Sequence, residues 1–522
     1  MKQTLRSGES AARTRRRPSP QQRSRAVGFA GALTLGIAAL AFLITGCAHA
    51  GLTELPGPVP SSPATEATGL PTPPVQPVEA PKLPENWRER AAELTLADVV
   101  TIALENNPAT RASWFAARSA AAQLGSKKAL YWPAVDLSAT AIRAEGSATG
   151  MSSTEGVTVY GPAASLEVLL FDFNRGPQVD EARQTLLAAD WSHNAVVQSV
   201  VLATVEAYYS YVNVKGQREA AAVAVKEAKV ALEAAETRKE VGLATRADVL
   251  QAQTAVSRAE LVYEALDGQR AVVRGALATT LGLPATTPLD VGPLPADVPL
   301  DSVAAEVEGL INEALTGRPD LAALRTEAAK ANVHIATVRG EGLPSISLSG
   351  TVGRSYFSPR GDPRFTDDWS AGLYVRFPLF TGFANSYDIE RARSDAAVAM
   401  VQATGLEQQV ALEVWSAYYD LQTAAQRVRT SRDLLAFATE SEDVALARYR
   451  EGVGSLLDLL TAQAALADAR AQVILARTDL FTSLARLGHA TGKLGPLQVR
   501  EIVPSGPVVA PAGENPTRDE EP

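Results

Sequence analysis

The sequence has little of the chemistry on which most enzymes and metalloproteins depend. Among its 522 residues are one cysteine, four histidines and three methionines. A single cysteine cannot form an internal disulfide or a multi-cysteine metal site. The histidines are isolated and show no ligand spacing; they are His49, His193, His334 and His489. No GxxxxGK[ST] phosphate loop occurs. We therefore predict no enzyme activity, no metal and no cofactor, so that any transport must be driven by a partner.

The sequence also lacks an apolar run long enough to span a membrane comfortably. The longest one, residues 26–42, follows a basic segment and is typical of an export signal. It leads into Ile44-Thr45-Gly46-Cys47, which resembles the bacterial lipobox. The resemblance implies a lipoprotein signal peptide over residues 1–46 and a covalent lipid on Cys47, with outer-membrane sorting because Ala48 follows. The alternative is an incidental cysteine after an ordinary signal.

Positive charge is scarce once the signal is removed. Cleavage takes eight of the 49 basic residues and one of the 58 acidic residues, which leaves 41 and 57 and a net charge of −16. Phosphate neutralisation needs clustered Lys and Arg, so this acidic body is a poor nucleic-acid binder. Nucleic-acid partners are therefore excluded.

The remaining chain contains the same unit twice. Many residues recur at an offset of 210 or 211 positions, including Leu104/Leu315, Pro108/Pro319, Tyr208/Tyr418, Gly242/Gly452, Asp248/Asp458 and Gly282/Gly492. A register kept over more than a hundred positions indicates an internal duplication. We predict a Pro-rich tether at residues 47–84, repeat one at 85–300, repeat two at 301–503 and a disordered acidic tail at 504–522.

Each repeat is predicted to begin with short helices and continue with two strands. Thr95 and Asp98 have the spacing of a capping box, and Pro133 ends the helix that follows Pro108. Apolar and polar residues then alternate in two segments per repeat, four strands of about ten residues in all. That length suits tilted membrane strands, although ordinary soluble hairpins would show the same pattern. Four strands cannot close a barrel, so a membrane sheet would require several chains.

Two long helical hairpins complete the predicted fold, which is mainly α with a small β part. Residues 383–450 contain no proline and span about 100 Å as a helix. Small and apolar residues recur there at alternating spacings of four and three, which is the pattern of a coiled-coil seam. The seam consists of Val410, Val414, Ala417, Leu421, Ala424, Val428, Ser431, Leu435 and Ala438. A glycine ends each long helix before a second helix begins.

The hairpin turns carry the most specific signal. Residues 238–253 read RKEVGLATRADVLQAQ, and residues 448–463 read RYREGVGSLLDLLTAQ. These segments resemble the TolC-type outer membrane factor family, the exit ducts of bacterial efflux and type I secretion. The likeness extends over residues from about 90 to 495 and includes both repeats. The resemblance implies a homotrimer in which each chain gives four strands to a twelve-stranded transmembrane β-barrel. The helices would form an α-helical tunnel in the periplasm of a Gram-negative bacterium.

The resemblance also assigns roles to residues of the turns. A periplasmic adaptor (membrane fusion) protein would dock at the two tips, and an inner-membrane pump would supply the energy. The first tip consists of Val241, Gly242, Leu243, Ala244 and Thr245, and the second, a looser match, of Gly452, Val453, Gly454 and Ser455. The alternative is that both turns are merely structural, with glycine for geometry alone.

A gate is implied on the helix after the second tip. Asp458 matches the inward-facing aspartate ring of the family, and Thr461 stands where some relatives have a second acid. Tyr449 and Asp248 match positions whose hydrogen bond helps to hold the closed state. Gly454 replaces the arginine that reinforces that closure. Three carboxylates near a three-fold axis repel anions and attract cations.

The predicted function is a passive outer-membrane exit duct for tripartite efflux, in contact with outer-membrane lipid. Two alternatives stay open at this point. One is the outer-membrane duct of type I protein secretion, and the other is a non-transporting coiled-coil scaffold or adhesin of the envelope. A scaffold would keep the seam and the tether but would need neither alternating strands nor paired glycine tips.

Overall fold

A computed structural model describes residues 93–144, 157–292, 306–358 and 364–495. Cys47, the predicted signal peptide, the tether and the acidic tail lie outside the described residues. Within the described ranges, each helix is too short or too polar to serve as a membrane span.

The described chain runs through the same series of elements twice. The first half contains α1 (Leu96–Asn106), α2 (Pro108–Lys128), β1 (Ala134–Ala144), β2 (Val157–Asp172), α3 (Arg175–Glu240) and α4 (Arg246–Thr280). The second half contains α5 (Val307–Gly317), α6 (Pro319–Glu341), β3 (Ser345–Ser358), β4 (Arg364–Arg376), α7 (Ala384–Arg450) and α8 (Leu456–Ala490). A 3₁₀ turn, Ala129–Tyr131, leads from α2 towards β1. The predicted fold class is thus confirmed.

The four strands form one antiparallel sheet in the order β1-β2-β3-β4. They are 11 to 16 residues long, so the prediction of about ten was too short. The pattern loses its alternation towards the strand ends, whereas the backbone ladder continues there. Among the described residues, β1 pairs only with β2 and β4 only with β3. Both outer strands therefore keep one open edge in the single chain.

The two faces of the sheet differ in polarity. On β3, Ile346, Leu348 and Val352 point to one face, while the intervening positions hold serine, glycine and threonine. Leu348 lies opposite Leu373 on β4 and opposite Val168 on β2, so the apolar side chains of three strands share that face. One face is therefore apolar around Leu348 and carries the ion pair of Arg354 and Asp367 towards the β3–β4 turn, and the other face is mainly polar and small.

Helices α2, α3, α6 and α7 pack side by side in that order. Along the chain they adjoin β1, β2, β3 and β4 respectively, so the helices follow the same order as the strands. The largest core cluster lies where α1, the middle of α3 and the end of α4 meet, and Tyr209 stacks there on Phe481 of α8 with ring centroids 5.2 Å apart. The predicted seam of α7 is buried, apart from Leu435, which is partly buried. Alanine at many of the buried positions allows the long helices to approach closely.

Candidate gate and docking site at the hairpin tips

The two helical hairpins, α3–α4 and α7–α8, contact each other beside their turns. A small apolar cluster joins them there. Its buried members are Ala231, Ala235, Val249, Ala252, Tyr449, Leu456 and Leu459. Tyr449 carries the only aromatic ring of the cluster and is 5% exposed. The residues that sequence analysis assigned to two separate tips are therefore brought into one site.

Each tip is a helix end closed by a left-handed glycine. Gly242 has φ of 79° and Gly452 has φ of 77°, as the sequence predicts. The N–H of Leu243 donates to the carbonyl of Arg238 (2.8 Å), and that of Val453 donates to the carbonyl of Arg448 (3.0 Å). This pattern is the Schellman motif. It leaves Leu243 75% and Val453 69% exposed, so both tips present apolar side chains to solvent in the single chain.

Both candidate gate aspartates are also helix caps. The carboxylate of Asp248 accepts from the N–H (2.7 Å) and the hydroxyl (2.8 Å) of Thr245. Asp458 forms the same capping box with Ser455, whose N–H donates to Oδ2 at 3.3 Å. Hydrogen bonds from Thr245 hold the pKa of Asp248 below its ordinary value. The capping box predicted at Thr95 and Asp98 is confirmed, whereas the two boxes at the tips were not predicted.

The hydrogen bond expected between Tyr449 and Asp248 is not formed. The Tyr449 hydroxyl is buried without a hydrogen-bond partner among the described residues. The carboxylate of Asp248 is instead engaged by its own cap at Thr245. The spacing that makes Asp248 a capping residue thus competes with the predicted contact. Asp458 is exposed in the single chain, and its assignment to a gate stays a prediction.

Arg238 provides the polar contact between the tips that sequence analysis did not find. It lies in the last turn of α3, and its guanidinium carbon stands 4.4 Å from the centre of the Tyr449 ring. Its Nη2 donates to the carbonyl oxygen of Arg450 at 3.0 Å. Both partners belong to the last turn of α7. No local pattern signals this contact, because 212 residues separate Arg238 from Arg450.

Gly454 has a packing reason of its own. A Cβ at this position would approach the Cβ of Arg448 to 3.0 Å and the backbone N of Tyr449 to 3.2 Å. Its N–H donates to the carbonyl of Arg448 (3.0 Å). A larger residue would therefore require the turn to shift by a few tenths of an ångström.

A groove of about 770 Å³ lies next to this apolar cluster, on the side away from the turns. It runs between α4 and α8, and α3 forms its floor. Alanine is the commonest residue of its lining, and Thr461 also faces it. Further along, Arg470 of α8 binds both carboxylate oxygens of Glu227 on α3 at 3.0 Å. The hairpins are thus joined at the tip and through α3 and α8, while α4 and α8 stay apart between these points.

Two histidines of the described residues form hydrogen bonds to neighbouring helices. His193 bonds Ser113 at 2.8 Å and His334 bonds Glu181 at 3.1 Å. Across the described ranges, no three His, Cys, Asp or Glu side chains form a group that could hold a metal ion.

A family model described as outer membrane efflux protein matches residues 99–283 and 310–493. These two segments take in both hairpins and both tips, and they cover more than half of the chain. The chain therefore belongs to the outer membrane efflux protein family. The predicted family and the predicted function in outer-membrane efflux are confirmed.

Curated relatives agree with this assignment. Protein CyaE of Bordetella pertussis is 29% identical over 414 residues, which cover 78% of this chain and 86% of the relative. The antibiotic efflux pump outer membrane protein ArpC of Pseudomonas putida is 25% identical over 467 residues, which cover 88% of this chain and 95% of the relative.

Solved structures show the same fold. The outer membrane protein VceC of Vibrio cholerae matches with a TM-score of 0.66 at 20% identity, over 78% of this chain and 98% of that one. The CmeC outer membrane channel of Campylobacter jejuni also gives 0.66 at 20% identity, over 80% and 91%. The arrangement of sheet, helical layer and hairpins is thus that of known outer-membrane channels.

Proposed function

We propose that three copies of this chain form a passive outer-membrane exit duct with a twelve-stranded barrel and a periplasmic helical tunnel. The observation that carries the proposal is the sheet, which has one mainly apolar face, one mainly polar face and, among the described residues, two open edges. An unpaired strand edge is costly in lipid, where no water replaces the missing hydrogen bonds. Pairing β4 of one copy with β1 of the next removes every edge when the ring closes.

The layer formed by helices α2, α3, α6 and α7 supports the same assembly. Its two outer helices carry aromatic pairs that are about half exposed in the single chain. Trp114 and Phe115 of α2 have ring centroids 4.8 Å apart, and Trp415 and Tyr419 of α7 lie at 4.9 Å. Large apolar groups gain about 1.5–3 kcal/mol each when they are buried. Contact between α2 of one copy and α7 of the next would bury both pairs at once.

We assign the gate of this duct to Asp458. Three copies would place three Asp458 carboxylates around the axis at the periplasmic end, where they attract cations and repel anions. Asp458→Asn removes the charge and keeps the shape, and it should raise single-channel conductance and lower cation selectivity in planar bilayers. Asp98→Asn is the matched control, because Asp98 has the same capping role away from the tips and should leave both quantities unchanged. Purified chain that stays monomeric, or equal conductance in all three proteins, would refute the assignment.

We assign adaptor docking to the exposed apolar tips. A photo-crosslinker at Leu243 or Val453 should capture a periplasmic adaptor protein, identified by mass spectrometry. Leu261 is the matched control, because it is 72% exposed but lies about 22 Å along α4 from Arg246, the first residue of that helix. Equal capture from Leu261 would remove the docking role. The adaptor would in turn connect the duct to an inner-membrane pump, since the chain shows no nucleotide-binding motif.

We also propose that Cys47 carries the lipid anchor. The lipobox resemblance of residues 44–47 supports this assignment. Mass spectrometry of the mature N-terminal peptide should show an acylated Cys47, and Cys47→Ser should abolish the modification. An unmodified cysteine in the mature wild-type chain would contradict the proposal.

A further inference from the structure

We infer that Arg238 is a positioning residue of the gate, and that its contacts with Tyr449 and Arg450 form a latch that holds the two hairpin tips together. The inference rests on the proposed function, because it assumes that the tips form the closed end of the duct. It names a residue outside the carboxylate ring, on the opposite hairpin from Asp458.

The latch joins the hairpins at their extreme ends. Arg238 belongs to the last turn of α3, and Tyr449 and Arg450 belong to the last turn of α7. Its guanidinium makes two contacts that depend on different geometry, one over the face of the Tyr449 ring and one along the Arg450 carbonyl. Any movement that separates the tips must break both. The Arg470–Glu227 pair lies further along α3 and α8 and does not impose this condition on the tips.

Electrostatics favours an arginine at this position. Helices α3 and α7 both end at the tips, and a helix C-terminus carries a partial negative charge from its unpaired carbonyl groups. Two such ends side by side repel each other. The Arg238 guanidinium lies against both, because it extends from the last turn of α3 and binds a terminal carbonyl of α7. Arg238 therefore reduces this repulsion together with Lys239, Arg448 and Arg450, the other basic residues of the two last turns, and it does so in direct contact with the opposite hairpin.

The burial of Tyr449 fixes the ring that the Arg238 guanidinium contacts. Its ring packs in the apolar cluster with Val249 of α4 and Leu459 of α8, so one face of the ring is held in place. The Tyr449 hydroxyl has no hydrogen-bond partner among the described residues. The ring face, rather than the hydroxyl, is thus what Tyr449 offers to the opposite hairpin.

The internal repeat supplies a matched control. Arg448 is the counterpart of Arg238 at an offset of 210 and also lies in the last turn of its helix. In the described part of the chain, its guanidinium shows no ion pair or hydrogen bond to the other hairpin. Removing either arginine changes the tip charge equally, but only the loss of Arg238 removes the latch.

The test uses full-length trimers in planar bilayers. Arg238→Gln should raise the open probability about two- to fivefold for each latch that must break, the range expected for loss of a cation–π contact. Tyr449→Leu keeps an apolar side chain and should give a similar rise. The double variant should exceed Arg238→Gln by little, because Tyr449→Leu removes only the ring contact, which the loss of Arg238 already removes. Arg448→Gln should behave as wild type.

Spin labels at Leu243 and Val453 provide a second readout. Pulsed distance measurements in trimers diluted with unlabelled chains should show a longer or broader tip-to-tip distance in Arg238→Gln. A variant that is only less stable would not change this distance well below its unfolding temperature. If Arg238→Gln does not assemble, Arg238→Lys should give a smaller rise, because lysine can approach the ring but lacks the planar fork.

The outcomes separate the latch from the gate. Wild-type behaviour of Arg238→Gln, or of Arg238→Lys in its place, overturns the latch, and a simultaneous rise in Asp458→Asn would show that the gate assignment still holds. Equal rises in Arg238→Gln and Arg448→Gln also overturn it, because the effect would then be one of net charge. A rise with Arg238→Gln alone supports the latch even if Asp458→Asn has no effect.

Discussion

Asn107 and Arg318 occupy equivalent positions in the two halves of the chain, and their side chains bind equivalent backbone carbonyls. Asn107 donates from Nδ2 to the carbonyl of Thr280 at 2.9 Å, and Arg318 donates from Nη1 to the carbonyl of Ala490 at 3.4 Å. Each side chain thereby satisfies a terminal carbonyl of the returning hairpin helix. Only Arg318 carries a charge, and it also binds Asp320 (2.6 Å) and Glu413.

Replacing Arg318 by asparagine, the residue at the equivalent position 107 of the first half, should therefore destabilise the second hairpin. Arg318→Asn can keep a hydrogen bond to Ala490, but it leaves Asp320 and Glu413 without their cation. Arg318 is 6% exposed whereas both acids are about one third exposed, so we expect a loss of about 1–3 kcal/mol. Denaturant unfolding in detergent measures it. Arg325→Asn, which breaks the exposed pair with Glu407, should cost less than about 1 kcal/mol. Equal losses would contradict the buried role of Arg318.

The neighbouring His489 predicts a pH dependence. Burial and the positive charge of Arg318 lower the pKa of His489 below its ordinary value of about 6.5. The unfolded chain therefore takes up a proton near pH 6.5, whereas the folded chain does so only at a lower pH. Stability from neutral His489 is present above pH 6.5 and is lost as the pH falls through the folded pKa. Thermal unfolding between pH 7.5 and 5 should show a shallower decline in His489→Gln than in wild type. Parallel declines would show that His489 is not responsible.

Because the Tyr449 hydroxyl is unpaired, we expect its removal to have little effect on stability. Tyr449→Phe removes a buried group that has no hydrogen-bond partner among the described residues, so stability should be unchanged or higher by up to about 1 kcal/mol. Conductance should also stay at the wild-type value, because the ring face remains. Tyr211→Phe is the matched comparison, since its hydroxyl donates to Asp290 at 3.1 Å, and it should cost about 1 kcal/mol. A rise in conductance with Tyr449→Phe would restore the hydroxyl to the gate.

The two faces of the sheet predict opposite responses to the same substitution. Leu348→Arg places a charge on the apolar face and should lower trimer stability in membranes by about 2–4 kcal/mol if it lies at mid-depth. Ser349→Arg places the same charge on the polar face and should be tolerated. Denaturant resistance of the assembled protein in lipid vesicles measures both. Reversed sensitivities would mean that the assignment of the lipid-facing side is wrong.

Local features of the structure could be predicted from the sequence because they depend on neighbouring residues. Thr95 and Asp98 are three positions apart, and Gly242 and Gly452 each end a helix by their own backbone freedom. The coiled-coil seam of α7 repeats a spacing that helix geometry imposes. The strands were recognised by their alternation, but their full lengths were not, because the ladder extends beyond the alternating residues.

Contacts between distant segments could not be predicted in this way. The expected bond between Asp248 and Tyr449 was transferred by resemblance, and the structure instead gives Asp248 to Thr245 and Tyr449 to Arg238. Each of these side chains has several partners within reach once the hairpins pack. Which partner it meets depends on the relative position of two helices that are far apart in the sequence.

The amino-acid sequence was enough to predict the duplicated series of elements, the alternation of the strands, the long hairpins and the glycine turns, because each follows from periodicity or from the backbone preference of single residues. The open edges of the two outer strands, among the described residues, and the contact of Arg238 between the two tips became visible in the folded chain. Those features arise from how separate helices and strands are placed against one another, and that placement is set by the packing of the whole chain.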